Sequence, residues 1–541
     1  MSSLQLEDSQ IVGEVTMVSA STVEFKVSNS KSKKYATKYG SNSNSFDIGK
    51  YVVTENLRSL TLAQIYFVGS NVQSEDDSPY GTTVKCQILG SYSFINKSLE
   101  RGVAEHPKIG QSVYYVNKDV AELFISKSKE KCADIGTLES LDGIELKIPF
   151  RDLYSRHCIV IGNTGGGKSW TLSRLIEENL KGGIKTILLD ATGEFHRLPD
   201  EQTEHLVLTS ENTSNEKGEL VYFDYKNLTV EDLFAFFTPS QQAQASVLRE
   251  AIKTLKMISS GVLVGNAKGG KNFEKTGSSR TAYETALAKA GSDIFSPFCN
   301  FDISSLKDQV EYECITNVWA PDKSLLNFNS TLLMRIESRL NAVEFACMFQ
   351  PRGRSSVTQK IDDFQKDGTK TILRISLRDL PFEFYTREIV VNALTRFLMN
   401  KARKGSFKDR PTVLAVDEAH NFFKAKAQIG SEIISLNSLD IIAKEGRKFG
   451  LLLLIGTQRP KDIPSGAMSQ IGAILCHRLT NEDDINLIKF NISEMNRSML
   501  EKLPLLRQGE VLITNFKLPF PLVVSIRKPS YEPDSMDPEF N

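Results

Sequence analysis

The sequence HCIVIGNTGGGKSWTL, residues 157–172, decides the fold class of this chain. An apolar run leads into a glycine-rich loop with the spacing G-x-x-x-x-G-K-S, and a helical pattern follows from Trp170. In such a loop the glycines let backbone N–H groups turn toward phosphates, and the positive end of the following helix dipole adds attraction. The alternative is a glycine turn without a ligand, but few such turns stand between a strand and a helix. The stretch therefore predicts a phosphate loop that binds a nucleoside triphosphate.

Each residue type in this loop has a chemical task. The lysine at 168 reaches the β and γ phosphate oxygens, and the hydroxyl of Ser169 binds Mg²⁺. The expected nucleotide-binding residues are Gly162, Asn163, Thr164, Gly165, Gly166, Gly167, Lys168, Ser169 and Trp170.

Composition limits the other functions of the chain. Its 541 residues, 40% of them hydrophobic and 24% charged, are enough for two or three globular domains. Lys+Arg and Asp+Glu are equal at 66 each, so the chain has no global basic field and any DNA contact must be local. The seven cysteines have no C-x-x-C spacing, which argues against zinc and a disulfide framework and favours a reducing cytoplasm. No signal peptide or membrane span is expected, because neither a basic and apolar leader nor an eighteen-residue apolar window is present.

Short apolar or alternating runs between Gln10 and Ile95, separated by Gly, Ser and Asn clusters, predict a small β-barrel at 1–105. After Arg156 strands alternate with helices, which predicts an α/β domain with a parallel sheet wrapped by helices. We expect this domain in two parts, 106–195 and 370–528, separated by a mostly helical insertion at 196–369. The proline-rich, acidic segment 529–541 is expected to be an extended or disordered tail.

A second motif is TVLAVDEAH, residues 412–420, an apolar strand that ends in two carboxylates and resembles a Walker B strand. Asp417 would hold Mg²⁺ through its hydration shell, and Glu418 would polarise the water that attacks the γ-phosphate. A strand ending in Asp-Glu is weak evidence alone, because such ends often face solvent. Together with the phosphate loop it predicts a site for nucleotide hydrolysis.

A third motif, LLLLIGTQRP at 451–460, is another buried strand that ends in polar side chains. Gln458 is expected to contact the γ-phosphate or the attacking water, although it could merely cap the strand. In the basic turn EGRKFG, residues 445–450, Arg447 is a candidate arginine finger, and the alternative is a cation that satisfies a helix dipole. Arg156, before the first strand of the motor, is a second candidate.

Two further features carry less weight. His157, His420 and His477 lie beside motor strands without metal-ligand spacing, so they are expected to be structural rather than ligands. The segment GNAKGGKN, residues 265–272, nearly repeats the phosphate-loop spacing, but Asn272 replaces the hydroxyl residue. With Lys275 and Arg280 it could contact phosphates of a nucleic acid, whereas a solvated basic loop is the simpler interpretation.

Taken in order, the barrel, SRH before GNTGGGKS, DATGEF, VDEAH, EGRKFG, GTQRP, HRLTNEDD and LPLLRQGE resemble the HerA family of the HerA/FtsK ATPases. The resemblance implies a RecA-like motor with an N-terminal HAS barrel, ATP and Mg²⁺ as cofactors, and a hexameric ring with duplex DNA in its pore. It assigns Lys168 and Ser169 to the nucleotide, Asp417 and Glu418 to the Walker B pair, and Gln458 to a sensor. Arg156 and Arg447 would complete sites at subunit interfaces.

The chain departs from the family at DATGEF, residues 190–195, where Ala191 and Thr192 replace the usual Pro and His. The family also implies a partner, either a NurA-like nuclease or a nuclease or sirtuin-like effector of antiphage defence. Because no nuclease or NAD-consuming site is visible in the sequence, such an activity would come from the partner. The function expected is an ATP-driven DNA translocase that powers or gates this effector. The alternative is a nucleotide-regulated ring scaffold that activates an effector without moving DNA.

Overall fold

The computed structural model describes residues 6, 8–27, 47–70, 82–103, 105–124, 130–141, 143–163, 165–240, 243–317, 319–321, 324–423, 426–429, 432–491, 497–515, 518 and 520–534. These residues form two compact units. The first joins the chain up to Glu178 with Ile471–Ser530, and the second joins Asn179–Gln470 with the residues from Tyr531 on.

The strands, in chain order, are β1 Ile11–Val18, β2 Thr22–Val27, β3 Tyr51–Glu55, β4 Ser59–Ser70, β5 Thr82–Ser93, β6 Ser98–Arg101, β7 Ser112–Tyr115, β8 Cys132–Leu138, β9 Ile144–Pro149, β10 His157–Ile161, β11 Thr186–Asp190, β12 Thr203–Leu208, β13 Glu219–Tyr222, β14 Thr316–Asn317, β15 Ala320–Pro321, β16 Ser355–Ser356, β17 Ile372–Ser376, β18 Thr412–Val416, β19 Lys426–Ile429, β20 Glu432–Ser435, β21 Leu451–Thr457, β22 Ile471–Cys476, β23 Glu510–Asn515 and β24 Leu522–Ile526. The α-helices are α1 Lys118–Phe124, α2 Phe150–Leu153, α3 Lys168–Gly182, α4 Val230–Phe237, α5 Gln244–Ser259, α6 Arg280–Lys289, α7 Leu306–Ile315, α8 Ser324–Asn341, α9 Ala346–Phe349, α10 Val357–Lys366, α11 Thr386–Arg403, α12 His420–Phe423, α13 Ser438–Glu445, α14 Ser465–Met468, α15 Glu482–Asn491 and α16 Arg497–Leu500.

The first unit begins with a closed antiparallel barrel. Its strands follow the order β2-β1-β7-β3-β4-β5, and pairing of β5 with β2 closes the ring. Alternation of buried and exposed residues, clearest in β5, directs one face of each strand into an apolar core. The predicted N-terminal barrel is thus confirmed, and β7, one of its six strands, follows residue 105. With four residues, SVYY, β7 is too short to carry a periodic signal of its own.

Beyond the barrel, the first unit contains a mixed sheet. β10 and β22 run parallel, and β22, β23, β24, β8 and β9 continue as antiparallel neighbours. All five residues of β10 are buried, which agrees with its apolar sequence HCIVI. α3 follows β10, so the phosphate loop connects a buried strand to a helix as the sequence predicts.

The second unit contains a parallel sheet in the order β16-β13-β12-β17-β11-β18-β21. β11, β17 and β18 are buried at every position, because helices cover both faces of a parallel sheet. These pairings confirm the α/β class. They also show that the segment 196–369 contributes β12, β13 and β16 to this sheet, in addition to its helices.

Helices and loops of the segment 196–369 form an apolar cluster of their own. It is built from Met257, Leu263, Phe273, Tyr283, Ala286 and Ile294, all buried. α4 is fixed at its start by a capping box between Thr229 and Asp232. Among the described residues, no helix is long and apolar enough to cross a membrane.

Candidate functional site

The phosphate loop of the first unit has the backbone geometry that its glycines predict. Gly165 and Gly167 have φ values of +74° and +102°, a region that favours glycine, and a Cβ built on Gly165 meets nothing within 4 Å. The amide of Gly166 donates to the Asn163 carbonyl at 3.0 Å, and the amide of Thr171 donates to the Gly167 carbonyl at 3.0 Å. The loop therefore curves tightly into α3 and leaves open space at Gly165. Thr164 lies outside the described residues.

The remaining predicted ligands stand in the first turn of α3. Lys168 is its first residue and is buried, whereas Ser169 and Trp170 are half-buried. The ammonium of Lys528 lies 5.2 Å from the centre of the Trp170 ring. A helix of fifteen residues that starts at the lysine presents the positive end of its dipole to the loop. The loop and this turn fit the phosphates of a nucleotide, and the Ser169 hydroxyl suits Mg²⁺.

Buried charged residues in the middle of α3, which were not predicted from the sequence, fix this helix to other segments. Arg174 pairs with Glu178 at 2.9 Å and with Asp134 of β8 at 3.5 Å, while the Asp134 amide donates to Glu178 at 2.7 Å. Glu177 accepts hydrogen bonds from the amide and the hydroxyl of Ser530, both at 2.8 Å. Ser530 lies in the predicted tail, so the start of this segment is fixed to α3. Nothing local in the sequence marks these pairs, because they join distant segments.

The carboxyl end of β18 in the second unit places two acids in different settings. Asp417 is fully buried, and the hydroxyl of Thr192 donates to it at 3.5 Å. Glu418 has φ of +48°, which is unusual for a residue with a side chain and is typical of functional sites. Its Oε1 accepts a hydrogen bond of 2.6 Å from Nε2 of Gln458, which follows β21. The structure therefore brings the predicted sensor into direct contact with the predicted catalytic acid.

Thr457 and His420 complete this edge. The Thr457 hydroxyl accepts from the amide of Arg459 at 3.1 Å and lies 3.4 Å from Nδ1 of His420. The same nitrogen is 3.3 Å from Oε2 of Glu418. Thr457 thus caps the end of the strand, while the side chain of Gln458 contacts Glu418. The cap and the acid contact, which were alternatives for this motif, are made by two neighbouring residues. His420 therefore contacts Glu418, one of the two acids.

Asp190 ends β11, the neighbour of β18, and is also fully buried. Its oxygens accept from the amides of Gly193 at 2.9 Å and Phe195 at 3.1 Å, and from Nε of Arg374 at 2.7 Å. Burial raises the pKa of Asp190, and the guanidinium of Arg374 opposes this effect. Asp190 is therefore engaged in shaping the loop that carries Thr192. Arg374 was not predicted as a partner of Asp190, because the two residues are 184 positions apart in the chain.

The two candidate arginine fingers are both exposed. Arg447 lies in the 3₁₀ turn Gly446–Phe449 after α13, and no described residue pairs with or hydrogen-bonds its guanidinium. Arg156 precedes β10 in the first unit, with its stem against Gly472, where an added Cβ would lie 2.6 Å from the Arg156 Cβ. Each side chain is accessible to another molecule, and the choice between them stays open.

The basic loop at 265–272 is neutralised within its own unit. Lys275 pairs with Glu313 at 2.8 Å and lies over the Tyr283 ring, and Arg280 pairs with Glu284 at 2.8 Å. Lys268 and Lys271 lie 3.9 and 3.6 Å from Asp308 and Asp302. Asn272 is buried and donates to the Ser305 carbonyl at 2.9 Å. These contacts favour a structural loop over a phosphate-binding one.

Among the described residues, no three His, Cys, Asp or Glu side chains come close enough together to hold a metal ion. Mg²⁺ commonly needs only one or two protein oxygens, because nucleotide phosphates and water supply the others. The hydroxyl of Ser169 in the first unit is an oxygen of this chemical type, and so is the carboxylate of Asp417 in the second unit.

A family model described as the central domain of helicase HerA matches residues 133–398. A probable helicase of Methanocaldococcus jannaschii is 24% identical over 469 residues, which cover 82% of this chain and 78% of that protein. The DNA double-strand break repair helicase HerA of Pyrococcus furiosus is 21% identical over 454 residues, with coverage of 77% and 73%. Among solved structures, VirB4 of Thermoanaerobacter pseudethanolicus matches 75% of this chain and 98% of its own, with 14% identity and a TM-score of 0.48.

Proposed function

Because this chain belongs to the HerA family of P-loop ATPases, we propose that it hydrolyses ATP to move along duplex DNA. The observation that carries the proposal is the phosphate loop. Its backbone has positive φ angles at Gly165 and Gly167 and leads directly into α3. The relatives named as helicases support the choice of DNA as the track. Family resemblance further supports a hexameric ring in which duplex DNA occupies the central pore.

In the proposed reaction Lys168 binds the β and γ phosphates, and the amides of the loop bind the remaining phosphate oxygens. Ser169 and Asp417 would hold Mg²⁺, the latter through water, and the ion supplies positive charge that offsets the phosphate oxygens. Glu418 orients and polarises the water that attacks the γ-phosphate. Its strained backbone and its bond to Gln458 fix the direction of its carboxylate.

Gln458 is proposed to report hydrolysis. Since its amide donates to Glu418, a change in the charge or position of that carboxylate alters the bond and moves the turn after β21. Arg447 or Arg156 is proposed to enter the site of a neighbouring subunit, where an arginine stabilises transition-state charge. The exposure of both side chains supports a role outside their own subunit.

We further propose that the ring powers or gates a separate effector. A NurA-like nuclease would make it a DNA end-processing motor, and a nuclease or sirtuin-like effector would make it a component of antiphage defence. Both options follow from the family resemblance, and neither is favoured by a feature of the described residues.

ATP turnover with and without linear duplex DNA tests the main proposal, with Lys168→Ala as the blank. We expect DNA to stimulate turnover strongly at low salt and less at raised salt, because phosphate contacts release counterions. Lys181→Ala, at the far end of α3, is a matched control that should retain the stimulation. An ATP turnover rate that is the same with and without DNA at every salt concentration would contradict translocation by the isolated chain.

The alternative is a ring scaffold that uses ATP to organise an effector without moving DNA. Two observations favour it: the formal net charge is zero, and the basic loop 265–272 is neutralised by neighbouring acids. This alternative predicts ATP turnover that responds to the effector and not to DNA.

A further inference from the structure

His477 follows β22 in the first unit and is fully buried. Its amide donates to the carbonyl of Ile161 at 2.8 Å, which extends the pairing of β22 with β10 to the point where the phosphate loop begins. The imidazole is thereby fixed against the loop by the backbone itself. The proposed reaction assigns no task to this ring.

The ring lies against the glycines of the loop. A Cβ built on Gly162 would be 2.9 Å from the Cβ of His477, and one built on Gly167 would be 3.1 Å from its Cε1. Gly166 is also close, with an added Cβ 3.8 Å from that of His477. At Gly162 and Gly167 the close approach of His477 leaves no room for a side chain, whereas at Gly166 the distance corresponds to an ordinary contact. The side chain of His477 therefore packs directly against the backbone of the loop.

The same ring is bonded to the helix that follows the loop. Nε2 of His477 lies 2.8 Å from the hydroxyl of Thr171, and both residues are buried. Thr171 is three residues beyond Lys168, and its amide already closes the first hydrogen bond of α3 with Gly167. His477 thus contacts the start of the loop, its end and the first turn of the helix.

Burial lowers the pKa of His477 to about 4, so the ring is uncharged at neutral pH. An uncharged ring supports the loop without adding a second cation behind Lys168. Its role is consequently one of shape and hydrogen bonding, and not of phosphate binding.

We propose that His477 is a positioning residue that holds the phosphate loop in its ligand-binding curve before the nucleotide arrives. The inference rests on the proposed ATP binding by this loop. Without the ring the loop must be ordered by the nucleotide, and the cost of that ordering appears in the affinity. In this proposal the buried ring does not contact the reacting atoms, so the rate at saturating ATP should change little.

The test compares His477→Ala and Thr171→Val with the unaltered chain. His477→Ala should raise the KM for ATP about tenfold or more and leave kcat within about threefold. Thr171→Val removes the hydroxyl while keeping the volume, and about a fivefold rise is expected for one lost hydrogen bond. Combined with His477→Ala, it should add almost nothing, because both variants remove the same contact.

His205→Asn is the matched control, since His205 is another buried histidine, whose Nε2 lies 3.1 Å from the Leu198 carbonyl in the second unit. Calorimetric titration of each variant with ATP and Mg²⁺ gives an affinity that does not depend on turnover. Unchanged affinity in His477→Ala and Thr171→Val, or an equal loss in His205→Asn, overturns the inference. Failure of the unaltered chain to bind ATP would instead refute the proposed function.

Discussion

In the first unit the phosphate loop rests on an uncharged imidazole, whereas in the second unit the acidic edge of the sheet is fixed by a buried ion pair. His477 contacts glycines and a hydroxyl, while Asp190 and Arg374 join two fully buried opposite charges at 2.7 Å. The difference follows from the ligand each region is proposed to meet. The phosphate loop already has a cation in Lys168, so its support can be uncharged, whereas an edge with several acids is stabilised when one of them is paired with a cation. Arg374 pairs with Asp190, whereas Asp417 and Glu418 are the acids proposed to act in hydrolysis.

The largest effect on ATP turnover is expected from Arg447, which takes part neither in the His477 contacts nor in the Asp190–Arg374 ion pair. If Arg447 is the proposed arginine finger, it stabilises charge only in the transition state, so Arg447→Ala should lower ATP turnover about 10³-fold or more with nucleotide affinity retained. The measurement is steady-state turnover together with calorimetric ATP binding. Lys448→Ala, the exposed neighbouring cation, is the control and should keep full turnover. A mild defect in Arg447→Ala would contradict this role for Arg447, and the same measurement on Arg156→Ala would then test the second candidate.

Glu418→Gln tests the catalytic side of the comparison. The amide oxygen that replaces the carboxylate still accepts from Gln458, so the fold should be kept while the general base is lost. We expect turnover to fall about 10²- to 10⁴-fold with ATP binding preserved. Glu445→Gln, an exposed acid paired with Arg403, should behave like the unaltered chain. Normal turnover by Glu418→Gln would remove Glu418 from the mechanism.

Arg374→Met breaks the ion pair that supports the acidic edge. It leaves Asp190 buried without its cation, so the free energy of unfolding should fall by about 3–5 kcal/mol in urea titrations. Arg378→Met is the control, because Arg378 is 61% exposed and lies 4.0 Å from Glu216, the second acid that Arg374 contacts. It should change stability by about 0.5 kcal/mol or less. If the two variants lowered the free energy of unfolding equally, the buried ion pair would contribute no more to stability than the exposed contact.

The smallest effect concerns pH. Burial, aided by the charge of Arg374, lowers the pKa of His205 to about 4 from its ordinary 6.5. Lys217 lowers it further, while Asp200 and the Leu198 carbonyl oppose the shift. Between these values the unfolded chain binds a proton that the folded chain does not, so stability is full above pH 6.5 and falls as the pH drops toward 4.

This contribution amounts to at most about 1.4 kcal/mol for each pH unit between those values. His205→Asn should remove it and flatten the dependence of the unfolding free energy on pH over that range. The two chains are best compared at pH 7.5 first, where the titration contributes no difference. An unchanged slope in the variant would assign the acid sensitivity to other groups.

Local sequence patterns predicted most of the architecture. The runs HCIVI, TVLAV and LLLLIGT form strands as expected, because a buried parallel strand must be apolar along its whole length. The barrel strands followed from period-two alternation and turn residues. Patterns of this kind failed for β7, β12 and β13, since short strands beside helices carry little periodicity.

The candidate site divides in the same way. Gly165, Gly167, Lys168 and the pair Asp417–Glu418 were readable because spacing in the chain fixes their geometry. The Gln458–Glu418 hydrogen bond was predicted only in part. Both residues were expected at strand ends, but their contact depends on which strands are neighbours in the sheet.

What the sequence alone determined is the set of groups that are proposed to meet phosphate and water, since a glycine loop and a strand end are built from consecutive residues. Tertiary structure decided which groups hold them in place. His477 reaches Thr171 across 306 positions and Arg374 reaches Asp190 across 184. Such contacts depend on strand order and burial, and the free energy that fixes them comes from removing both partners from water together.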